Sequence, residues 1–192
     1  MNHQLKIIPY AELAAWRASY NGPRPLVATS GCYDFLHTGH AVDLEKIRNL
    51  GASLIVGIND DDSVRRYKGP HRPIVPHDQR AAILALLQCV DFVTIFPEDN
   101  PAEFIRRSRP DIYTKGSDWS IEKLPQADKD AIAEVGCDLK FTQRSIVGAS
   151  TTNIIKRVGE IWLAENTEDE KDETLFFNNI RRMRNLFRKM RK

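Results

Sequence analysis

The stretch Gly31-Cys32-Tyr33-Asp34-Phe35-Leu36-His37-Thr38-Gly39-His40 decides the fold, because it joins the apolar run 26–30 to a segment with helical spacing. This order predicts a buried strand, a tight loop and the start of a helix. A helix start presents unpaired backbone N–H groups and partial positive charge, which favour phosphate. His37 and His40 stand there, and an imidazole can donate hydrogen bonds to phosphate oxygens. Two surface histidines at a helix end are the alternative interpretation.

Short apolar runs alternate with helical patterns along the rest of the chain. The runs contain Val, Ile, Leu and Phe without polar alternation, as expected for strands covered on both faces. This rhythm predicts an α/β fold, an open parallel sheet of about five strands with helices on both faces. Ligands bind such sheets at the carboxyl ends of the strands. The predicted strands are 26–30, 53–58, 91–96, 111–114 and 137–141, and the predicted helices are about 38–50, 78–88, 101–108, 125–135 and 151–164.

The length of 192 residues predicts one domain, 1–164, with a C-terminal helical extension at 165–192. No run of about 18 apolar residues predicts a membrane span, and the start of the chain lacks the apolar stretch of a secretory signal. Three widely separated cysteines form no metal-like pair and favour reduced thiols. We therefore expect a cytoplasmic protein.

The net charge of +2 conceals an asymmetry. Residues 181–192 carry seven basic side chains and no acidic one, so the remaining chain has 21 basic and 26 acidic residues, a net charge of −5. Nucleic-acid binding gains its affinity from counterions that a clustered basic face releases. The mildly acidic body therefore argues against nucleic acid as a partner.

The C-terminal extension combines an acidic linker at 165–173 with a basic helix whose apolar residues are spaced as a heptad seam. Three interpretations of this helix stay open. It could pack on the body or on a second subunit of a homo-oligomer, it could touch an acidic membrane, or it could be a disordered or nucleic-acid-binding tail. The seam consists of Phe176, Ile180, Met183, Phe187 and Met190.

Three further polar clusters follow predicted strands or precede a predicted helix. The basic stretch 65–73 follows Asn59-Asp60 and suits either a phosphate-binding loop or an ordinary solvated loop. The stretch 115–119 offers a glycine, an aspartate and a tryptophan for a sugar and a base, or an ordinary turn. The stretch 144–152 precedes the last helix, where its serine and threonine suit an N-cap, an anion site or both. All of these clusters, with the histidine loop, fall on one predicted rim of the sheet.

On these motifs the chain resembles the HxGH nucleotidylyltransferase superfamily, the cytidylyltransferase-like group, and within it the heptose 1-phosphate adenylyltransferases. The resemblance covers roughly 26–158. It implies a Rossmann-like sheet and Mg²⁺-dependent transfer of AMP from ATP to a sugar 1-phosphate. The leading candidate for this acceptor is heptose 1-phosphate, which would place the reaction in lipopolysaccharide precursor biosynthesis. The acceptor phosphate would attack the α-phosphorus of ATP, and pyrophosphate would leave. The matching segments are Gly31–His40, Val64–Pro73, Gln79-Arg80, Val90–Val93, Lys115–Asp118 and Ser150–Ile155.

The resemblance also implies a role for each matching residue. His37 and His40 would stabilise the phosphate oxygens of the transition state, and Lys68 would hold the acceptor phosphate, so these three are the expected catalytic residues. Mg²⁺ would arrive with ATP, and no protein metal ligand is expected. The ATP pocket would be formed by Gly31, Cys32, Tyr33, Gly39, Lys115, Gly116, Asp118, Arg144, Ser150 and Thr151. The acceptor would be bound by Asp34, Asn59 and Arg80, with contact to the metal as the alternative for Asp34.

Two departures from the family pattern leave the substrate open. Ser30 stands where asparagine is expected, and Ala41-Val42-Asp43 replaces a more usual aromatic helix start. A cytidylyltransferase that acts on glycerol 3-phosphate or another polyol phosphate is therefore an alternative. A non-catalytic nucleotide-binding adaptor is an alternative from a different class.

Overall fold

The computed structural model describes residues 2–116, 118–143, 146 and 148–166, without the side chains of the last two. The chain divides into two compact units, Met1–Val147 and Gly148–Lys192. The predicted boundary at 164/165 stays a prediction. The predicted basic helix and almost all of the acidic linker lie outside the described residues. The three interpretations of that helix therefore stay predictions.

A sheet of five parallel strands forms the centre of the first unit, and the predicted open parallel sheet is confirmed. The strand order is β3-β2-β1-β4-β5, so it reverses between β1 and β4. In the register, Val27 of β1 pairs with Leu54 of β2 on one side and with Ile112 of β4 on the other. The strands are β1 Leu26–Gly31, β2 Ser53–Asn59, β3 Phe92–Phe96, β4 Ile112–Gly116 and β5 Asp138–Thr142.

In the described part of the chain, seven α-helices accompany the strands, and two 3₁₀ turns at His3–Lys6 and Tyr10–Glu12 precede them. Six of the helices belong to the first unit. The seventh lies in the second unit and extends two residues into the stretch predicted as a linker. The helices are α1 Leu13–Ser19, α2 Thr38–Arg48, α3 Asp61–Lys68, α4 His77–Leu86, α5 Ala102–Ser108, α6 Gln126–Val135 and α7 Thr151–Asn166.

Helices cover both faces of the sheet, which explains why its central strands are apolar throughout. Successive strand residues point to opposite faces. Leu26 and Ala28 therefore join one buried cluster with Phe104 of α5, whereas Val27 joins the other with Leu44 of α2. All five of these residues are completely buried. The first four residues of β1 are all buried, so a polar side chain without a partner at these positions would be desolvated at a cost.

Helix α3 corrects the interpretation of 65–73 as a loop. Arg65 and Lys68 lie in the last turn of this helix, where positive charge complements the helix dipole. The helix starts at Asp60, whose carboxylate accepts a hydrogen bond from the backbone N–H of Ser63 at 2.7 Å. Only the segment that begins at Gly69, with a φ of 98°, is a loop.

In the second unit, α7 starts with the N-cap that the sequence predicts. The Oγ atom of Ser150 accepts a hydrogen bond from the backbone N–H of Asn153 at 3.1 Å. Among the described residues, no helix combines the length and the apolar character that crossing a membrane requires.

Candidate active site

A cleft of about 470 Å³ opens at the carboxyl ends of β1, β2 and β4. This is the position expected for a ligand, because the strand order reverses between β1 and β4. The cleft brings together nine of the residues that the sequence analysis singled out. They are Gly31, Cys32, Tyr33, His40, Asn59, Lys68, Lys115, Gly116 and Asp118.

The two histidines stand together at the start of α2. His37 is the N-cap residue with extended backbone, and His40 lies in the first turn. Their imidazole rings are stacked, with centroids 3.9 Å apart and planes 21° apart. The ring of Tyr33 packs 5.3 Å from that of His40, and Gly39 between the histidines is buried. Two imidazoles and a helix N-terminus thus converge beside the carboxyl end of β1, as an anion site requires.

The loop that follows β1 has unusual backbone geometry. Tyr33 and Phe35 both adopt positive φ values, 48° and 58°, which residues other than glycine rarely adopt. Asp34, between them, is 2% exposed, and its carboxylate accepts hydrogen bonds from Arg72 Nε at 2.5 Å and from the N–H of Ile74 at 3.0 Å. These bonds hold the loop in its strained form. The predicted contact of Asp34 with the acceptor stays a prediction.

Arg80 supports the same loop from α4. Its side chain is 1% exposed, and three of its nitrogens donate within the protein. The acceptors are the carbonyl of Cys32 at 2.5 Å, the carbonyl of Val75 at 2.9 Å and the carboxylate of Asp61 at 2.6 Å. The geometry therefore favours a positioning role, and the predicted direct contact of Arg80 with the acceptor stays a prediction.

The wall formed by β2 and α3 carries Asn59 and Lys68, two of the residues predicted to contact the acceptor. Asn59 is buried, and its Nδ2 atom donates to Ser63 Oγ at 3.0 Å and to the carbonyl of Glu98 at 3.1 Å. Lys68 is exposed on the cleft, with its Nζ atom 5.3 Å from the centre of the Tyr67 ring. Burial and the neighbouring Cys32 raise the pKa of Tyr67, so this phenol stays protonated. Lys68 is thus the cation that this wall offers to a phosphate.

The opposite wall follows β4. The Nζ atom of Lys115 lies 4.9 Å from the centre of the Trp119 ring. Burial lowers the pKa of Lys115, and the negative charges of Asp128 and Asp118 oppose that effect. A Cβ atom on Gly116 would lie 2.7 Å from Asp118 Oδ1, so glycine at this position makes room for the carboxylate. A cation, an acid and an aromatic face therefore surround this end of the cleft.

Sequence analysis missed Asp128, which also lines the cleft. Its carboxyl is buried in the first turn of α6. An acid in a first turn is common because the helix dipole favours it, so nothing in the sequence pattern distinguishes Asp128 from other acids. The burial of the Asp128 carboxyl arises from tertiary packing, which the sequence pattern does not show.

Four predicted ATP-binding residues are not described as part of this cleft, and Gly39, which is buried between the two histidines, is one of them. Arg144 lies outside the described residues. Ser150 caps α7 and Thr151 begins it, both in the second unit. The predicted contacts of these four residues with ATP stay predictions.

The sequence model of the cytidylyltransferase-like family matches residues 28–169. This chain belongs to the cytidylyltransferase-like family. The match includes most of β1, the histidine loop, the other four strands and all of α7, so the resemblance drawn from the motifs is confirmed.

Curated relatives of this cytidylyltransferase-like chain include an adenylyltransferase and a bifunctional protein. A D-beta-D-heptose 1-phosphate adenylyltransferase from Bordetella bronchiseptica is 49% identical over 122 residues, 63% of this chain and 75% of that protein. The bifunctional protein HldE from Syntrophotalea carbinolica is 44% identical over 135 residues, 70% of this chain. The match covers 27% of that HldE protein, so the chain spans about a quarter of the length of the bifunctional relatives.

Solved structures confirm the Rossmann-like fold. A lipopolysaccharide core biosynthesis protein from Thermoplasma volcanium is 28% identical, with a TM-score of 0.53, and the match covers 65% of this chain and 98% of that one. A pantoate-beta-alanine ligase from Francisella tularensis also has a TM-score of 0.53, over 91% of this chain and 84% of its own. At 13% identity the ligase indicates the fold alone.

Proposed function

We propose that this chain is a nucleotidyltransferase that transfers AMP from ATP to heptose 1-phosphate and releases pyrophosphate. The observation that carries the proposal is the stacked pair of His37 and His40 at the start of α2, beside the carboxyl end of β1. The heptose 1-phosphate adenylyltransferase at 49% identity supports the choice of substrates. Such an activity would supply activated heptose for lipopolysaccharide precursor biosynthesis.

The proposed chemistry is a single displacement. A phosphate oxygen of the sugar 1-phosphate attacks the α-phosphorus of ATP, the bond to the β-phosphate breaks, and pyrophosphate leaves with its electron pair. No group on the protein forms a covalent bond. Catalysis then consists of positioning the two phosphates and stabilising the negative charge between them. The imidazoles of His37 and His40 and the N–H groups of α2 supply that stabilisation.

The two walls of the cleft suit the two substrates. The wall of α3 offers the ammonium of Lys68, which we assign to the acceptor phosphate. The wall that follows β4 offers Gly116, Asp118 and Trp119, which we assign to the nucleoside of ATP. The histidines stand on the helix that follows β1, and β1 lies between β2 and β4 in the sheet. This order would bring the α-phosphorus and the acceptor phosphate together in the middle of the cleft.

Mg²⁺ would be held mainly by the nucleotide. No group of three or more His, Cys, Asp or Glu side chains in the described parts of the chain is arranged to hold a metal ion. Mg²⁺ commonly keeps several waters and binds substrate phosphates with one or two carboxylates, so an ion that arrives with ATP would need few ligands from the protein. The ion would supply charge neutralisation on the triphosphate.

The test is a matrix of nucleotides and acceptors. Purified protein receives ATP or CTP with Mg²⁺, together with heptose 1-phosphate, glucose 1-phosphate or glycerol 3-phosphate, and released pyrophosphate is measured. We expect turnover with ATP and heptose 1-phosphate and little with the other pairs. Turnover with CTP and glycerol 3-phosphate instead would support the cytidylyltransferase alternative. ATP binding without pyrophosphate release from any pair would support the adaptor.

A further inference from the structure

Asp128 is a buried acid without a hydrogen-bond partner among the described residues. It is 1% exposed, and neither oxygen of its carboxyl has a donor within the described structure. It nevertheless lines the cleft, together with Lys115, Gly116, Trp119 and Pro125. Burying a carboxylate without a partner costs several kcal/mol unless something satisfies it.

Helix capping does not account for Asp128. An acid in the third position of a helix commonly accepts from the backbone N–H of the N-cap residue. The N-cap of α6 is Pro125, which has no N–H group. Asp34 shows the opposite case, since this equally buried acid accepts from Arg72 and from the backbone N–H groups of Ile74 and Val75. The missing donor of Asp128 therefore points to a ligand.

Lys115 provides an opposite charge at the same end of the cleft. Its ammonium lies over the rings of Trp119 and Tyr113, 4.9 and 5.7 Å from their centres. It donates no hydrogen bond to Asp128, because neither carboxyl oxygen of Asp128 has a donor in the described structure. Burial raises the pKa of Asp128, and the charge of Lys115 opposes this. A hydrogen-bond donor and an acceptor thus stand beside an aromatic face.

We propose that Asp128 and Lys115 read the edge of the nucleotide base, the carboxylate accepting from its exocyclic amine and the ammonium donating to the adjacent ring nitrogen. This inference rests on the proposed function, which puts the nucleoside at this end of the cleft. The aromatic face of Trp119 bounds the base, and Asp118, which is exposed at the rim, is left for the ribose.

The pattern of donor and acceptor selects a class of base. Adenine presents an amine donor at C6 beside the acceptor N1. Hypoxanthine reverses both, with a carbonyl at C6 and a protonated N1. Inosine triphosphate would therefore set a carbonyl against the carboxylate and an N–H against the ammonium. Sites that hydrogen-bond a buried ligand group reject analogues without it strongly, because the groups of the protein remain unpaired.

The experiment compares ATP with inosine triphosphate as partners of heptose 1-phosphate. We expect the intact protein to favour ATP by at least about 100-fold in kcat/KM. In Asp128→Asn the side-chain amide can donate to the C6 carbonyl, so the preference should fall by at least about tenfold. Lys115→Gln should also lower the preference, because it replaces the ammonium with a group that both donates and accepts.

Asp130→Asn is the matched control, since Asp130 lies on the same helix and is exposed. It should leave the preference unchanged. Far-ultraviolet circular dichroism of each variant establishes that it is folded. An unchanged preference in folded Asp128→Asn, with pyrophosphate still released from ATP, would overturn this inference and leave the proposed function intact. Absence of pyrophosphate release from the intact protein would instead overturn the proposed function.

Discussion

Arg80 donates a hydrogen bond from Nη1 to the backbone carbonyl of Cys32 at 2.5 Å, although 48 residues separate them in the chain. The arginine belongs to α4, and the carbonyl belongs to the loop that leads from β1 to the histidines. The other nitrogens of the guanidinium bind Val75 O and Asp61. One buried cation thus joins α4, α3 and the histidine loop.

Replacing Arg80 should destabilise the fold strongly. Arg80→Met keeps much of the side-chain volume but leaves the Asp61 carboxylate and two carbonyls without their donor. Removing one partner of such a buried ion pair lowers the free energy of unfolding by about 3–5 kcal/mol. Urea denaturation monitored by circular dichroism would measure this loss. Arg66→Met is the control, because Arg66 is half exposed and pairs with Asp99 at the surface. An equal, small effect in both variants would contradict the role given to Arg80.

Asp111 should make stability depend on acid pH. Burial raises the pKa of this carboxyl, but hydrogen bonds from Arg24 and the N–H of Leu26 outweigh burial, so the pKa is lowered. A lowered folded-state pKa contributes stability above the unfolded value of 3.8 and loses it as pH falls through the folded value.

Asp111→Asn should therefore have less stability than the intact protein at neutral pH, by about 1–3 kcal/mol, and the gap should close below about pH 4. Urea denaturation at a series of pH values measures the free energy of unfolding of both proteins. Taking the difference between them removes the contributions of other acids. Asp130→Asn should show no such gap. A gap in Asp111→Asn that stays constant down to about pH 2 would argue against the ionised pair.

Lys68 should affect the acceptor more than ATP. Its ammonium is exposed on the acceptor wall of the cleft, so Lys68→Ala removes a positive charge without disturbing the core. We expect the KM for heptose 1-phosphate to rise by roughly tenfold or more, with the KM for ATP nearly unchanged. Lys46→Ala on α2, also exposed, is the control. A rise confined to the KM for ATP would contradict this assignment and indicate that Lys68 contacts the nucleotide.

The sheet could be predicted because its strands are buried on both faces. Apolar runs such as 53–58 have no other simple explanation, and the loops that follow the strands must meet at one edge. Helix α3 was missed because its last turn reads Arg65-Arg66-Tyr67-Lys68, which resembles a solvated loop. Its start signal, the acid run at Asp60–Asp62, was present in the sequence.

The supporting contacts of the site could not be predicted. The burial of Arg80 depends on the carbonyl of Cys32 and the carboxylate of Asp61, which only the packed fold brings to it. Asp128 looked like an ordinary first-turn acid, and its missing partner follows from Pro125 and from the closeness of the cleft. Sequence patterns identify groups suited to phosphate but not the long-range contacts that hold them.

The most direct test of the central claim measures pyrophosphate release from ATP and heptose 1-phosphate by His37→Ala and His40→Ala. Each substitution should lower kcat by roughly 30- to 1,000-fold, the equivalent of about 2–4 kcal/mol of transition-state stabilisation. His3→Ala, at a histidine that does not line the cleft, should match the intact protein. Undiminished kcat in either folded variant would contradict the proposal that the stacked pair stabilises the transferring phosphate.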